Sequence, residues 1–272
     1  MLEAELPHAS LLKKVVEAIK DLVTDAPFDC CETGITLQAM DSSHVALVSL
    51  KMDVSLFETY RCDRTVSIGL SLAAMSKALK CANNDDICKL SYSDDDRDNI
   101  TFTFRDAKKE RTQDVTVRLV DLDNEHLGIP DQDYTACIDM PSNEFMKSCR
   151  DLAMFSDTIS IAADKGSVTF SATGETGNST VTYNSSTPSD DEEESNKIVI
   201  KVEKPVKINF SIKYMNSFTK ATPLGSKVSI KMCNNVPVII EYPFGGDDEN
   251  PDTSSLSFFL APKIDDDVKM EA

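Results

Sequence analysis

The sequence predicts an α+β protein of two similar domains, each built from antiparallel strands and two helices. Three observations support this fold class. They are the length, an internal repeat, and the presence in both halves of segments with the period-two spacing of strands and segments with helical spacing. The chain has 272 residues, enough for two domains of roughly 130 residues each. Apolar residues make up 41% of it, which suffices for ordinary globular cores.

The internal repeat is clearest where an alternating strand runs into a short helix. Residues 66–82 align without gaps on residues 206–222, with identical residues at Val66/Val206, Ile68/Ile208, Ser71/Ser211, Met75/Met215 and Lys80/Lys220. Two shorter matches occur in the same order, 20–22 with 150–152 and 35–37 with 168–170. Three matches in one order indicate a duplicated domain.

Strands and helices are predicted from period-two and helical spacing, respectively. Alternation predicts strands at 101–104, 114–119, 167–170 and 197–202. Apolar residues at helical spacing predict helices at 11–22, 72–81, 142–152 and 211–221. The Met and aromatic residues on these helices are expected to be core.

The domain boundaries follow from breaks in these patterns. Gly128 and Pro130 interrupt regular structure, so we predict an N-terminal domain at 1–118, a linker at 119–134, a C-terminal domain at 135–264 and an acidic tail at 265–272. The acidic stretch 93–99 lacks the Gly and distal Glu of a calcium loop, which favours a solvated hairpin tip. No function is assigned to the acidic loops 185–196 and 244–255.

The distribution of charge matters more than its total. A net charge of −18 argues against nucleic acid, because phosphate contacts need basic residues. Yet the polar faces of the four predicted helices are mainly basic, with Lys13, Lys14, Lys20, Lys77, Lys80, Lys147, Arg150, Lys213 and Lys220 against Glu17, Asp21, Glu144 and Asp151. Solubility alone is the simpler alternative. Recurrence on all four helices favours a shared positive surface that contacts phosphates without reading sequence.

Other classes of protein lack support in the sequence. No secretory signal or membrane-spanning run is visible, so an intracellular protein with eight reduced cysteines is expected. The cysteines and histidines lack metal-ligand spacing. Neither a phosphate-binding glycine motif nor a nucleophile elbow occurs, and the carboxylates cluster in charge runs. We therefore predict a non-enzymatic protein without cofactor or metal.

Several motifs resemble the eukaryotic DNA sliding clamp family over nearly the whole chain. They lie at 40–45, 60–64, 75–82, 121–123, 127–130, 218–224 and 260–264. The resemblance implies the DNA clamp fold: a homotrimer closed into a ring around duplex DNA, with helices inside and sheets outside. It also implies a nuclear processivity factor that docks DNA polymerase, the clamp loader and other proteins carrying a clamp-interacting peptide. Their work is replication, repair and translesion synthesis.

The resemblance also assigns roles to individual residues. The DNA-binding set, which takes in the basic helix residues found above other than Lys147, is Lys13, Lys14, Lys20, Arg61, Arg64, Lys77, Lys80, Arg150, Lys213 and Lys220. The partner-binding groove would comprise Met40, His44, Leu47, Leu127, Ile129, Pro130, Tyr134, Val236, Pro237, Ala261, Pro262 and Ile264. Lys165 corresponds to the lysine that the family modifies with ubiquitin or its relatives, although the local order Asp-Lys-Gly departs from the family.

Two interpretations stay open at this level. Leu127 and Ile129 are apolar in an acidic linker, which favours a binding groove, whereas Val45 is expected in the core because its strand neighbours are apolar. The alternative to a clamp is an acidic protein–protein adaptor that does not encircle DNA. Subunit stoichiometry separates the two, and a hydrolase using acidic pairs has no positive support.

Overall fold

The chain forms two compact units. The computed structural model describes residues 1–106, 108, 110–122, 132–186, 196–246 and 253–263. Unit 1 comprises Met1–Ile129 with Pro243–Leu256, and unit 2 comprises Pro130–Tyr242 with Ser257–Ala272. The domain boundaries stay a prediction, because much of the linker 119–134, all of the tail 265–272 and much of both acidic loops lie outside the described residues.

Unit 1 begins with a strand and a helix and continues mainly as antiparallel strands. Its elements are β1 (Leu2–Leu6), α1 (Ala9–Ile19), β2 (Asp25–Cys31), β3 (Gly34–Met40), β4 (Ala46–Asp53), a 3-10 turn (Val54–Leu56), β5 (Thr59–Cys62), β6 (Val66–Ser71), α2 (Leu72–Leu79), β7 (Ile87–Ser93), β8 (Asp96–Arg105) and β9 (Thr112–Arg118). β7 and β8 form a hairpin at the acidic stretch 93–99, which confirms the predicted hairpin.

Unit 2 repeats this succession of elements. It contains β10 (Ala136–Pro141), α3 (Ser142–Leu152), β11 (Thr158–Asp164), β12 (Ser167–Gly174), β13 (Gly177–Asn184), β14 (Val199–Val202), β15 (Val206–Ser211), α4 (Ile212–Phe218), a 3-10 helix (Thr219–Leu224) and β16 (Lys227–Met232). The last strands, β17 (Val238–Phe244) and β18 (Ser254–Leu260), divide between the two units.

Strand order confirms the duplication. In unit 1 the strands run β5-β1-β7-β8-β9 in one sheet and β4-β3-β2-β6 in another. The same orders recur as β14-β10-β16-β17-β18 and β13-β12-β11-β15. The aligned segments 66–82 and 206–222 fall on β6-α2 and β15-α4, so the gapless match is structurally correct.

One of the short matches is in the wrong register. The buried positions of α1 repeat in α3 so that Leu12 corresponds to Phe145 and Val16 to Cys149. Lys20 is therefore not equivalent to Arg150, because Lys20 is the C-cap of α1 and Arg150 lies inside the last turn of α3. The error is about one helical turn, and a shift of that size keeps a short motif on nearly the same face.

In unit 2 the helices and the solvent lie on opposite faces of the β13-β12-β11-β15 sheet. Strand β12 alternates between buried and part-exposed residues, with Val168 and Phe170 buried. Helix α3 packs on the buried face, where the rings of Phe145 and Phe170 have centroids 6.1 Å apart. Because successive side chains of a strand point to opposite faces, the hydroxyl residues of β11 and β12 lie on the other face.

The structure also bears on membranes, metals and thiols. No described helix is long and apolar enough to cross a membrane. The described residues hold no group of three or more His, Cys, Asp or Glu side chains that could bind a metal ion. All eight cysteines are free, and burial raises the pKa of the Cys30 and Cys149 thiols well above the usual value, which makes both thiols unreactive.

Candidate nucleic-acid interface and partner-binding residues

The two helices of unit 1 pack against each other and bring basic residues of both onto one surface. A cavity of about 200 Å³ lies where the two helices meet, and its lining includes Lys13 of α1 and Lys80 at the C-cap of α2. Glu17 lies between them and accepts a hydrogen bond of 3.1 Å from Ser76 Oγ. A hydrogen bond from Lys20 is the main cause that lowers the pKa of Glu17, and Lys80 contributes a smaller Coulombic effect.

The lysines of this surface differ in how far they are already engaged. Lys13 Nζ donates to the carbonyl of Ala82 at 2.7 Å, and Lys20 Nζ pairs with Glu17 at 2.7 Å. The remaining lysines are exposed and form no ion pair with the part of the chain that the structure describes: Lys14, Lys77 and Lys80. These three side chains can turn toward an external phosphate without breaking an existing pair.

Unit 2 presents a similar surface from α3, α4 and the following 3-10 helix, which pack together. Arg150 is exposed and contacts Asp151, with Nη2 to Oδ1 at 3.1 Å. Lys213 lies exposed on α4, and Lys220 lies exposed on the 3-10 helix. Each unit therefore carries a basic surface on its own pair of helices.

Comparing the two units reveals a candidate that the predicted DNA-binding set omits. The register of α1 on α3 places Lys147 where Lys14 stands, and both are exposed. The match of 66–82 with 206–222 likewise places Lys220 where Lys80 stands. Lys147 was visible in the sequence as a basic helix residue, but the correct register is what identifies it as the counterpart of Lys14.

Arg61 and Arg64 lie apart from the helices. Arg61 is on β5 and Arg64 is in the turn that follows it. Arg61 Nε contacts Asp63 Oδ1 at 2.8 Å, and Arg64 pairs with Asp94. Both guanidinium groups already have a carboxylate partner, unlike the exposed lysines of α1 and α2.

In unit 1 the predicted groove residues surround the loop between β3 and β4. Met40 and Leu47 are paired across the two strands, and His44 projects from the loop with a φ of 56°. The buried Asp41 carboxylate holds the loop, accepting from the backbone N–H of Val45 at 2.8 Å and of Ala46 at 2.7 Å.

The same loop corrects the expectation for Val45. Its side chain is 38% exposed, not buried, although apolar residues follow it. The hydrogen bonds to Asp41 fix the backbone of the loop before β4 begins, and period-two burial starts only at Ala46. Val45 therefore adds an exposed apolar side chain next to His44.

In unit 2 the predicted groove residues that the structure describes lie in segments outside the helices and strands. Pro237 and Ala261 are exposed, and the remaining three are partly buried: Tyr134, Val236 and Pro262. Burial raises the pKa of Tyr134 above its usual value. The other four predicted groove residues lie outside the described residues: Leu127, Ile129, Pro130 and Ile264.

Lys165 occupies the tip of the hairpin between β11 and β12. Its backbone N–H donates to Asp164 Oδ1 at 2.7 Å, and Gly166 follows with a φ of +82°, a conformation that favours glycine. The side chain of Lys165 is exposed, so its ammonium group is accessible to a modifying enzyme.

Comparisons with known proteins agree with this duplicated architecture. The family model described as proliferating cell nuclear antigen, N-terminal domain, matches residues 1–126. The model of the C-terminal domain of the same antigen matches residues 128–263. The chain is also 59% identical over 271 residues to the proliferating cell nuclear antigen of Caenorhabditis elegans, with all of both chains covered.

Proposed function

The chain belongs to the proliferating cell nuclear antigen family, and from that premise we propose which of its residues do the work of a DNA sliding clamp. Proteins of this family are not enzymes. The protein is a nuclear processivity factor that encircles DNA as a homotrimer and docks polymerase, clamp loader and other replication and repair proteins. Nothing in the comparisons favours the alternative of an adaptor that does not encircle DNA.

The residues proposed to contact DNA are the basic side chains on the four helices. The observation that supports this most strongly is the pair of equivalent positions, Lys14 with Lys147 and Lys80 with Lys220, all exposed on helix surfaces. An exposed lysine makes a loose, exchangeable contact with a phosphate, which suits a protein that slides. The same role is proposed for the other helix residues of the predicted set: Lys13, Lys20, Lys77, Arg150 and Lys213.

Arg61 and Arg64 are proposed as minor contributors. Each must give up a carboxylate contact, to Asp63 or Asp94, before it can contact phosphate. Their substitution should therefore change DNA binding less than substitution of the exposed helix lysines.

Ring closure is proposed to use the free sheet edges. Strand β9 is the last strand of its sheet and pairs only with β8, and β13 is the last strand of its sheet and pairs only with β12, within the described residues. Unpaired edges favour association with another strand. Pairing of β9 with β13 of the next subunit would remove both edges and close a head-to-tail ring. Light scattering should then give about three times the chain mass of 29.9 kDa.

Partner proteins are proposed to bind the twelve groove residues assigned above, through peptides that carry a glutamine and two aromatic residues. In unit 1 this proposal is supported by the ordered loop that exposes His44 and Val45. In the linker, replacement of Leu127 and Ile129 by Ala should abolish peptide binding with little change in stability.

Lys165 is proposed as the modification site because it is exposed at a hairpin tip.

The DNA proposal is tested by replacing Lys14, Lys80, Lys147 and Lys220 together with Ala. Duplex binding and clamp loading should fall strongly, whereas the solution mass and peptide binding should stay those of the unmodified protein. The matched control replaces four exposed lysines outside the helices, with the same change of charge: Lys51, Lys108, Lys201 and Lys204. Equal loss of DNA binding in the two variants would contradict the assignment to the helix surface.

A further inference from the structure

A polar pocket of about 650 Å³ lies in unit 2, and none of the residues proposed to contact DNA is part of its lining. Its floor is the solvent face of the sheet, with side chains from β11, β12 and β15. Pro262 and Lys263 form part of its wall, and the backbone N–H of Lys263 holds that segment to the carbonyl of Asn209 at 2.8 Å. Its size is that of an ordinary small-ligand site.

The chemistry of the lining is unusual for so acidic a chain. The lining contains no carboxylate. Its main polar members are two lysines and four hydroxyl residues: Lys207, Lys263, Thr158, Ser160, Ser171 and Thr173. Ammonium groups and hydroxyls are donors to an oxyanion. The pocket therefore has the donor set that a phosphate group requires.

One donor in this lining lacks a partner. Ser160 Oγ is shielded from solvent and forms no hydrogen bond with the described residues. A buried hydroxyl without a partner is destabilising, so the fold gains nothing from this hydroxyl. By contrast, Thr158 Oγ1 accepts from Lys263 Nζ at 2.5 Å and donates to Asp157 Oδ1 at 2.9 Å.

The duplicated half shows that the fold does not require these lysines. In unit 1, Ser67 stands where Lys207 stands in unit 2. The backbone N–H of Val120 donates to the carbonyl of Gly69 at 2.9 Å, just as that of Lys263 donates to Asn209. Val120 is thus the counterpart of Lys263.

The corresponding cavity of unit 1 also differs in charge. It measures about 590 Å³, and its lining combines two carboxylates, Asp98 and Asp121, with two guanidinium groups, Arg97 and Arg118. The same architecture thus encloses balanced charges in one half and two lysines without a carboxylate in the other. The net positive lining in unit 2 is therefore not a requirement of the fold.

We propose that this pocket binds the phosphoryl group of a phosphorylated serine or threonine in a partner protein. Lys207 and Lys263 supply the charge-assisted contacts, and Ser160 supplies the hydroxyl that the fold leaves unpartnered. A DNA phosphate is the less suitable occupant, because α3 packs on the opposite face of this sheet. The inference goes beyond the clamp function and does not rest on the groove assignment.

One existing contact must weaken when the phosphate binds. Lys263 Nζ lies 3.4 Å from Asp157 Oδ1, and the side chain of Asp157 is 90% exposed. An exposed ion pair of this kind contributes little to stability, so Lys263 can exchange it for a phosphate. Replacement of Asp157 by Asn should therefore tighten phosphate binding, by about two- to fivefold.

The test is calorimetric titration of the full-length trimer with the capped tripeptide acetyl-Gly-phosphoserine-Gly-amide. The unphosphorylated tripeptide and inorganic phosphate are titrated in parallel. The phosphorylated tripeptide should bind, inorganic phosphate should bind more weakly, and the unphosphorylated tripeptide should not bind. The double variant Lys207→Gln/Lys263→Gln should lose about tenfold or more in affinity, whereas Lys201→Gln/Lys204→Gln, with the same change of charge, should bind normally.

Ser160→Ala separates a binding role from a structural one. Because the hydroxyl has no partner in the fold, its removal should leave the melting temperature unchanged or higher, and should weaken tripeptide binding by about three- to tenfold. A Ser160→Ala protein that is less stable but binds as before would overturn the role of this hydroxyl.

Three results would overturn the proposal itself. The first is equal binding of the tripeptide with and without its phosphate. The second is binding of inorganic phosphate as tight as, or tighter than, that of the phosphorylated tripeptide, which would indicate free phosphate as the ligand instead of a phosphorylated protein. The third is a single-stranded oligonucleotide whose affinity depends on Lys207 and Lys263 as strongly as that of the tripeptide does, which would assign the pocket to nucleic acid.

Discussion

The two halves of this chain share one succession of elements, yet their side chains agree only at certain positions. Exposed lysines recur at the same helix positions, Lys14 with Lys147 and Lys80 with Lys220. Elsewhere the halves diverge, as where Val120 in unit 1 is replaced by Lys263 in unit 2. The core and the basic helix surface are therefore common to both halves, whereas the residues around Val120 and Lys263 differ between them.

The core gives the largest expected effect. Phe145 in unit 2 occupies the position of Leu12 in unit 1, and both are buried. Phe145→Ala should lower the free energy of unfolding by about 3–5 kcal/mol and Leu12→Ala by about 2–5 kcal/mol, measured by denaturant unfolding at fixed protein concentration. Lys147→Ala, on the exposed side of the same helix as Phe145, is the control. A cost under about 1 kcal/mol for Phe145→Ala would break the equivalence of the two cores.

A second test concerns a loop that the halves do not share. The β3–β4 loop of unit 1 depends on Asp41, whereas β12 and β13 of unit 2 join in a tight turn between Gly174 and Gly177. Asp41→Ala should cost about 1–3 kcal/mol and speed hydrogen exchange at the Val45 and Ala46 amides. Asp41→Asn keeps an acceptor and should lose less. Unchanged exchange in Asp41→Ala would show that the loop does not depend on this carboxylate.

The shared lysines predict equal effects from the two halves. Lys14→Ala and Lys147→Ala should each reduce the slope of log affinity for duplex DNA against log salt by about 0.9 for every subunit whose lysine neutralises a phosphate, because each substitution removes one lysine from each subunit of the trimer. The double variant should show the sum, and Lys201→Ala should show no change. A slope that responds to only one of the two substitutions would mean that the halves do not share one DNA surface.

The smallest effect concerns pH. The hydrogen bond from Lys20 lowers the pKa of Glu17 from 4.5, so its contribution to stability is present above the unfolded pKa and is lost as pH falls through the folded one. Glu17 is half exposed, so screening limits the effect to a few tenths of a kcal/mol, roughly. Arg150 holds the equivalent position in unit 2 and cannot titrate there. Glu17→Gln should therefore flatten stability between about pH 3 and 6, whereas Arg150→Gln should not.

Local periodicity was enough to predict the helices, the duplication and the basic helix surface. The structure begins α1 at Ala9 instead of residue 11, and it ends α4 at Phe218, where a 3-10 helix continues. The mismatch of Lys20 with Arg150 arose because a three-residue motif fits a helix equally well one turn away. The correct alignment of α1 on α3 comes from the pattern of buried positions along each whole helix, not from a short motif.

Features that depend on contacts between distant segments could not be predicted from the sequence. Val45 precedes the apolar residues of β4 but is exposed, because Asp41 fixes the loop before β4 begins. The pocket of unit 2 draws on three strands and the segment around Lys263. β11 and β12 show ordinary alternation of serine or threonine with apolar residues, and β15 alternates Lys207 and Asn209 with apolar residues. Nothing in any one segment therefore indicates that Ser160 lacks a partner.

We expect encirclement, not contact energy, to hold this protein on DNA. A chain with a net charge of −18 should bind the duplex only through loose, salt-sensitive lysine contacts, so a closed ring is needed for long retention. The direct measurement is the lifetime of clamps loaded onto circular DNA before and after a single cut that leaves free ends. We predict long retention on the closed circle and rapid loss after the cut. Equal lifetimes on the two forms of DNA would contradict it.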